Sequence, residues 1–509
     1  MQSLIAIGAA FFAAKRILRY LRFLQQEEGY NPVRFIRWFF LTKAFDLRGS
    51  AIALAAYFTG LSFPGALGLF ALAYFEENPA KTGKVKLAWT NRSKRIFAVS
   101  ILIYLLLLIP SRNWLWLFAT FQLIPFILPL AVLLLAFDER RRQQKILKDA
   151  KAKFASIPFV IGITGSAGKT STKEALGRLL QITLGPTFWP EKGINTQMGI
   201  AREIRQKLSS LHRFAVIEMG AYGKGSIQRL CKLTPPHAAI ITEVGDCHLE
   251  RFGSRETIRK TKGELAEALG CNSLLIVNGD NPLVRQIGIE HPDKRVLYYG
   301  FDKNNDTQII RYNYTPMGTT FSLQWRGQTF QGKTPLLGKG ALMNLAAAFT
   351  LATEIGADPE FAIAALSTLE PVNNRLHYSQ QMDVGYLHDA YNSNPQGFAT
   401  ALEVLEMLPA KRRFLLTPGM IELGPLQHQL NQQAGKQAAA VCDWALVVNQ
   451  INQKALFQGL KDGGMAEDHI LVCNTRDEAF GYLQNLTGKG DLVLIENDLP
   501  DLYEARPKW

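Results

Sequence analysis

The stretch Val160–Leu176, VIGITGSAGKTSTKEAL, decides how this chain is read. With Phe159 in front, its first residues form a short apolar run of the kind that is buried on both faces of a parallel sheet, and Lys169–Leu180 has helical spacing. A glycine-rich turn lies between them. There, backbone N–H groups and a helix N-terminus converge on an anion. Gly165 and Gly168 let the backbone approach phosphates, Lys169 brings a point charge to the outer phosphates, and the Thr170 hydroxyl is placed to hold Mg²⁺. The loop Gly165, Ser166, Ala167, Gly168, Lys169, Thr170 and Ser171 is therefore the expected nucleotide cradle. The strict P-loop spacing wants glycine at 163, where the chain has Ile163, so the spelling is Gly162-x-x-Gly165-x-x-Gly168-Lys169-Thr170.

Working back from the cradle, the first 155 residues have a different character. They hold 22 Lys+Arg against 8 Asp+Glu, which accounts for the whole net charge of +14 and leaves the rest of the chain neutral. The positive charge lies beside apolar segments, where lipid headgroups and the positive-inside bias explain it, so no nucleic-acid partner is expected. Four apolar stretches appear: Ser3–Ala14, Ala51–Phe75, Ile96–Ile109 and Trp114–Phe137. The second and fourth reach the ~20 residues that a membrane-crossing helix needs. Basic clusters around 15–48, 81–95 and 139–153 all point to the cytoplasmic side, with Ser111–Asn113 outside. Both flanks of Ala51–Phe75 then want the same side, and SFPG (Ser62–Gly65) sits near its middle, so a re-entrant hairpin competes with a clean crossing. NPVRFIRWFFLTKAF reads as an amphipathic helix in the headgroup plane. The five cysteines, Cys231, Cys247, Cys271, Cys442 and Cys473, form no CxxC pair and suit reduced cytosolic thiols.

Forward of the cradle, FAVIEMGAYGKGSI puts Glu218 at the end of a second apolar strand. AAIITEVGDCHLERFGSRETIRKTKGE adds a third strand, then His248 and Lys262, and VNGDNP ends a further strand at Asn278–Pro282. Short alternating runs between 296 and 336 read as a small antiparallel meander. From about Gly385, strands at 385–391, 413–417, 444–449, 469–473 and 491–495 alternate with helices, the first being Pro395–Leu408. This is a doubly wound sheet with its ligand side at the C-terminal strand edge. The fold class expected is α/β: a helical membrane domain (1–155), a P-loop-type parallel-sheet ATPase domain (156–370) and a Rossmann-like C-terminal domain (371–509).

Taken together, these phrases resemble the Mur ligase family, ATP-dependent amide ligases of cell-wall precursor synthesis. Within it they look most like the branch that adds D-alanyl-D-alanine to UDP-MurNAc-tripeptide. The resemblance runs from about Ile157 to Ile495. It implies ADP-forming joining of an acid to an amino acid through an acyl phosphate, with ATP and two Mg²⁺ ions. Charge on the transferring phosphoryl group is then neutralised by metals and cations. It further implies Thr170, Glu218, His248 and Lys262 as the metal set, the last as a carbamate that turns a cation into an oxygen ligand. Lys169, Lys262 and His248 would be catalytic, and Asn344, Arg375 and Asp389 would join the cradle in holding the nucleotide.

The chain also departs from the family pattern. Gly340 and Ala341 replace a His and an Asn of the helix that approaches adenine, so adenine binding is half supported. TPGMIELG has Gly419 where an Asp is common. The last strand ends LIENDLPDLYEARPKW where the family has a Lys-Gly-Ser-Arg phrase serving the amine pocket. The N-terminal domain that grips UDP-MurNAc is replaced by the membrane segments, which suggests an acceptor that is lipid-linked, polymeric or delivered by a membrane partner. The expected location is the cell membrane, multi-pass, with the catalytic domains cytoplasmic. Competing readings are a poly-γ-glutamate synthetase-like ligase, a P-loop transport ATPase, and a nucleotide-binding scaffold that has lost turnover. Phosphate release that requires both an acid and an amine separates the ligase from the last two.

Overall fold

A computed structural model describes residues 2–26, 30–42, 44–45, 47–76, 78–80, 86–109, 114–191, 193–245, 252–371, 376–390, 393–421, 423–448 and 450–498. Two compact units are present, residues 1–142 and 143–498.

The first unit is helical: α1 (Gln2–Gln26), α2 (Pro32–Leu41), α3 (Leu47–Thr59), α4 (Ser62–Phe75), α5 (Asn91–Leu108) and α6 (Trp114–Phe154), the last running on past the unit boundary. The apolar stretch Ala51–Phe75 does not make one long helix. Gly60, at φ +70°, breaks it two residues before the SFPG phrase. The limbs, 13 and 14 residues long, each extend only about 20 Å. They pack antiparallel over small residues. A Cβ on Gly65 would lie 2.9 Å from the Ala56 Cβ, one on Gly68 would lie 3.1 Å from Ile52, and Arg48 closes the open end on Glu76 at 3.0 Å. Both flanks of the stretch thus lie at the same end of the unit. Arg16 and Arg19 join Glu76 there, at 3.3 and 2.7 Å. At the opposite end the Trp114 indole donates to the Ser62 hydroxyl, and the Trp116 indole to the Leu107 carbonyl.

Among the described residues α6 is the one helix long and apolar enough to cross a bilayer, judged by length and composition; α4 is apolar but shorter. The multi-pass expectation is not supported on that measure, because Ala51–Phe75 is divided into two shorter helices, while α1 and α5 carry Lys and Arg within their length. The headgroup-plane reading of α2 also changes. Phe35, Trp38 and Phe39 on its apolar face are buried within the unit, where Trp38 stacks on Phe23 at 4.4 Å, and only residues such as Val33, Phe40 and Leu41 face outward.

The second unit contains two sheets. The first has strands β1 (Phe159–Thr164), β2 (Thr187–Phe188), β3 (Phe214–Glu218), β4 (Ala238–Ile241), β5 (Leu274–Asn278), β6 (Arg295–Gly300), β7 (Thr307–Thr315), β8 (Gly318–Trp325) and β9 (Gln328–Thr334). Its order is β2-β3-β1-β4-β5-β6-β7-β8-β9. β1, the apolar run before the cradle, is central and parallel to both β3 and β4, which explains why five of its six residues are buried. The run RVLYYGF, expected in the meander, is instead β6, a parallel strand beside β5; only β7, β8 and β9 form the antiparallel portion.

The second sheet has β10 (His377–Gln381), β11 (Val384–Asp389), β12 (Arg413–Thr417), β13 (Trp444–Val448), β14 (Ile470–Cys473) and β15 (Leu492–Glu496), in the order β10-β11-β15-β12-β13-β14. All pairings are parallel except that of the edge strand β10. β15, last in sequence, inserts between β11 and β12, which sets Glu496 beside Asp389 in register.

Candidate functional site

The cradle follows from the ends of β1 and α7 (Lys169–Thr183). Gly168, the residue before α7, has φ +80°, a conformation that costs any residue with a Cβ about 1–2 kcal/mol. Gly165 is required by crowding: a Cβ there would lie 1.9 Å from the Thr242 hydroxyl and 3.0 Å from the Glu243 nitrogen. The loop is braced from β4's end, where the Ser166 N–H donates to the Glu243 carbonyl at 2.6 Å and the Thr242 hydroxyl to the Ala167 carbonyl at 2.5 Å. Lys169 folds over its own loop, its ammonium donating to the carbonyls of Gly165 at 2.8 Å and Ser166 at 3.2 Å.

Glu218 closes the mouth of the cradle. It is buried at the C-terminal end of β3, where it accepts from the Thr170 hydroxyl at 2.8 Å and from the Asn195 amide at 2.8 Å. Asn195 is itself held by the Tyr222 hydroxyl at 2.8 Å. Lys173, fully buried one turn along α7, lies 3.9 Å from Glu218 and donates to the Pro190 carbonyl at 2.6 Å. A carboxylate in this position is a hard oxygen ligand of the kind that suits a divalent ion. Thr170 and Glu218, with the ammonium of Lys169 nearby, fit Mg²⁺ and the outer phosphates of ATP; a magnesium ion held there neutralises charge on the phosphoryl group.

The cradle opens into a cavity of about 580 Å³ that Ala167, Gly168, Ser171, Asn344 and Asp389 help to line, with Leu336, Met343 and Phe301 giving it an apolar part. Asn344 sits at the phosphate end: its carbonyl oxygen accepts from Thr172 at 3.0 Å and would be 2.5 Å from a Cβ on Gly168. Asp389, at the end of β11, accepts from the Leu376 N–H at 3.2 Å. A second cavity of about 570 Å³, lined by Arg255 and Glu256 among others, shares Glu243, Asn281, Pro282, Asn394 and Gln396 with the first. Lys262 is buried on the helix Arg255–Glu267 and lines neither cavity. His248 and Arg375 lie outside the described residues.

Sequence reasoning passed over Lys173, Asn195, Tyr222, Thr242 and Glu243. Of these only Asn195 fell outside the phrases that were singled out, and none of the five had been given a role. Three of the thiols are poorly placed for nucleophilic chemistry: Cys231, Cys442 and Cys473 are buried, and burial pushes Cys231 up to about 12 and Cys473 to about 11, whereas Cys271 is exposed and Cys247 lies outside the described residues.

Comparisons with known proteins agree with this geometry. Residues 163–352 match the Mur ligase middle domain, and residues 374–496 match the family described as Mur ligase, glutamate ligase domain. The chain is 30% identical over 362 residues to the UDP-N-acetylmuramoyl-tripeptide--D-alanyl-D-alanine ligase of Bacillus subtilis (strain 168), covering 68% of this chain and 76% of that protein. Identity to the ligase of the same name from Escherichia coli (strain K12) is 30% over 308 residues, covering 58% and 68%. Among solved structures, the MurF ligase of Thermotoga maritima in complex with ADP superposes with a TM-score of 0.63 at 26% identity, over 72% of this chain and 82% of that one. MurF from Acinetobacter baumannii has the same fold, with a TM-score of 0.64 at 24% identity over 71% and 78%. A braced phosphate loop, a buried carboxylate at its mouth and these two matched domains place the chain in the Mur ligase family, as an ATP- and Mg²⁺-dependent, ADP-forming ligase that joins an acid to an amino acid.

Proposed function

We propose that the chain is a membrane-anchored amide ligase of peptidoglycan precursor synthesis that works at the cytoplasmic face. The observation that carries this reading is the Thr170–Glu218 pair at the mouth of a loop opening into one cavity that adjoins a second. The first cavity suits ATP and the second an acceptor carboxylate. In the proposed reaction a carboxylate oxygen of the acceptor attacks the γ-phosphorus and ADP leaves. The amine nitrogen then attacks the acyl carbon, phosphate leaves, and the amine proton passes to solvent or a base.

In this reading Lys169 and the loop Gly165–Ser171 hold the phosphates. Thr170, Glu218, His248 and a carbamylated Lys262 share two Mg²⁺ ions, and Asn344, Arg375 and Asp389 complete the nucleotide site. Lys262 is buried on the helix Arg255–Glu267, in the stretch whose resemblance suggests the carbamate. The proposed domains are a membrane-anchoring part (1–155), an ATP-binding part (156–370) and a C-terminal part (371–509).

The membrane reading rests on α6 and on the α3–α4 hairpin. The closed end of the hairpin presents Tyr57, Phe58, Leu61 and Phe63, while its open end holds Arg48 on Glu76. Such a hairpin enters and leaves the bilayer on one side, which removes the conflict between basic flanks and crossing parity. The relatives' names specify a UDP-N-acetylmuramoyl-tripeptide and D-alanyl-D-alanine. We propose a related acceptor, presented at or linked to the membrane. Phosphate release by the detergent-solubilised chain, screened against cell-wall precursors paired with amino acids and dipeptides, tests the reading with Lys169→Ala as control. Release independent of any acid–amine pair would refute it.

A further inference from the structure

β15 ends in a carboxyl group for which the proposed chemistry has no use. Glu496 is fully buried, and it lies in register with Asp389 on the adjacent strand β11. One of its carboxyl oxygens accepts from the Ser393 hydroxyl at 2.5 Å; the other is buried without a hydrogen-bond donor. An ionised carboxylate in that position would leave a buried charge unsatisfied beside a second carboxylate, an unfavourable arrangement. Two adjacent acids avoid this cost by retaining one proton. Among the described residues no cation meets the Glu496 carboxyl. The β12 residue following the registered pair Leu416–Ile495 is Thr417, which is uncharged, and Asn497 is occupied with the Gly419 carbonyl. Arg476, from the helix Arg476–Leu486, is paired with Asp498 at 2.8 Å. Burial and the Asp389 charge, in that order, push Glu496 well above the usual carboxylate range.

We propose that Glu496 is a proton-bearing positioning residue, which donates its carboxyl proton to Asp389 and so holds that side chain, with one oxygen on the Leu376 N–H, in the orientation a nucleotide meets. The proton also limits the pair to a single negative charge beside a polyphosphate. This proposal rests on the reading of Asp389 as a nucleotide contact. It concerns a stretch where the chain departs from the family phrase.

The sign of the pH effect follows from linkage. A carboxyl whose folded pKa is raised keeps its proton in the folded state while the unfolded chain loses it near 4.5, so folding stability declines as pH rises above that value and levels off past the folded pKa. Glu496→Gln keeps a donor and cannot titrate. The test uses the full chain in detergent. Difference infrared spectroscopy of wild type against Glu496→Gln at neutral pH should show a protonated-carboxyl band in the wild type alone. The stability advantage of Glu496→Gln over wild type should widen with pH. ATP affinity of the wild type should fall at least tenfold as the band disappears at high pH, while that of Glu496→Gln stays level. Absence of the band, or a stability gap that does not change with pH, overturns the shared proton. A band that titrates without moving ATP affinity overturns the positioning role. Asp389→Asn separates the two ideas: unchanged ATP affinity in that variant refutes the nucleotide reading of Asp389, whatever the band shows.

Discussion

Glu218→Gln is the most informative perturbation of the cradle. The substitution conserves shape and removes one buried negative charge. Lys173, with its ammonium 3.9 Å away and no solvent exposure, then loses a counter-ion whose attraction is worth about 4 kcal/mol at an effective dielectric of ~20. Much of this is offset, because Lys173 retains Glu174 at 3.1 Å and the Pro190 carbonyl, and because a buried carboxylate no longer needs to be desolvated. The expected net loss of stability is about 1–3 kcal/mol. The effect on the ion is larger, since a neutral amide oxygen is a poor substitute for a carboxylate on Mg²⁺. Nucleotide affinity measured by titration calorimetry should fall about 10–100-fold in Mg²⁺ and change little in EDTA, the range seen when groups supporting a metal are removed. Thermal unfolding in the same buffers separates the two effects. Equal affinities of variant and wild type in Mg²⁺ would show that Glu218 does not serve the metal, and the reasoning would fail.

Gly165→Ala places a methyl 1.9 Å from the Thr242 hydroxyl and against the Glu243 backbone, so nucleotide affinity should drop at least 100-fold while circular dichroism shows the fold retained. Lys262→Ala should abolish acid- and amine-dependent phosphate release and leave nucleotide affinity within about twofold, with partial rescue by a small carboxylate; unchanged turnover would remove Lys262 from the mechanism. Replacing Phe58, Leu61 and Phe63 together by serine should weaken co-flotation of the chain with anionic vesicles, at ~0.8 kcal/mol for each buried methylene lost, and retention of full binding would discount the hairpin as an anchor.

The parallel strands were legible because burial on both faces requires continuous apolar runs, and β1, β3, β12 and β13 are short runs of that kind. Glu218 could be picked out because it ends such a run, at the strand edge where ligands collect. Lys173 could not, since a lysine in a helix reads as a solvated face until tertiary structure lays the Pro190 segment over it. A break at SFPG was one of two readings of Ala51–Phe75, the other being a clean crossing; the chain breaks at Gly60, where a left-handed residue turns it and leaves Pro64 inside the first turn of α4. The aromatic face of α2 was assigned to lipid because periodicity identifies an apolar face but not what covers it; here much of it is covered by α1. Local pattern is equally silent on strand order, so the meeting of Asp389 and Glu496 could not be read from either phrase.

The position of β15 also constrains how the polypeptide is made. β11 and β12 emerge from the ribosome well before the strand that hydrogen-bonds between them, and β13, β14 and their helices are synthesised in the interval. Until β15 arrives, the nascent C-terminal sheet has a gap with two unpaired apolar edges, while all the strands of the phosphate-loop sheet are already available to one another. Co-translational folding should therefore proceed in two steps, with the loop that cradles the phosphates settled first and the carboxyl pair at the far sheet assembled last.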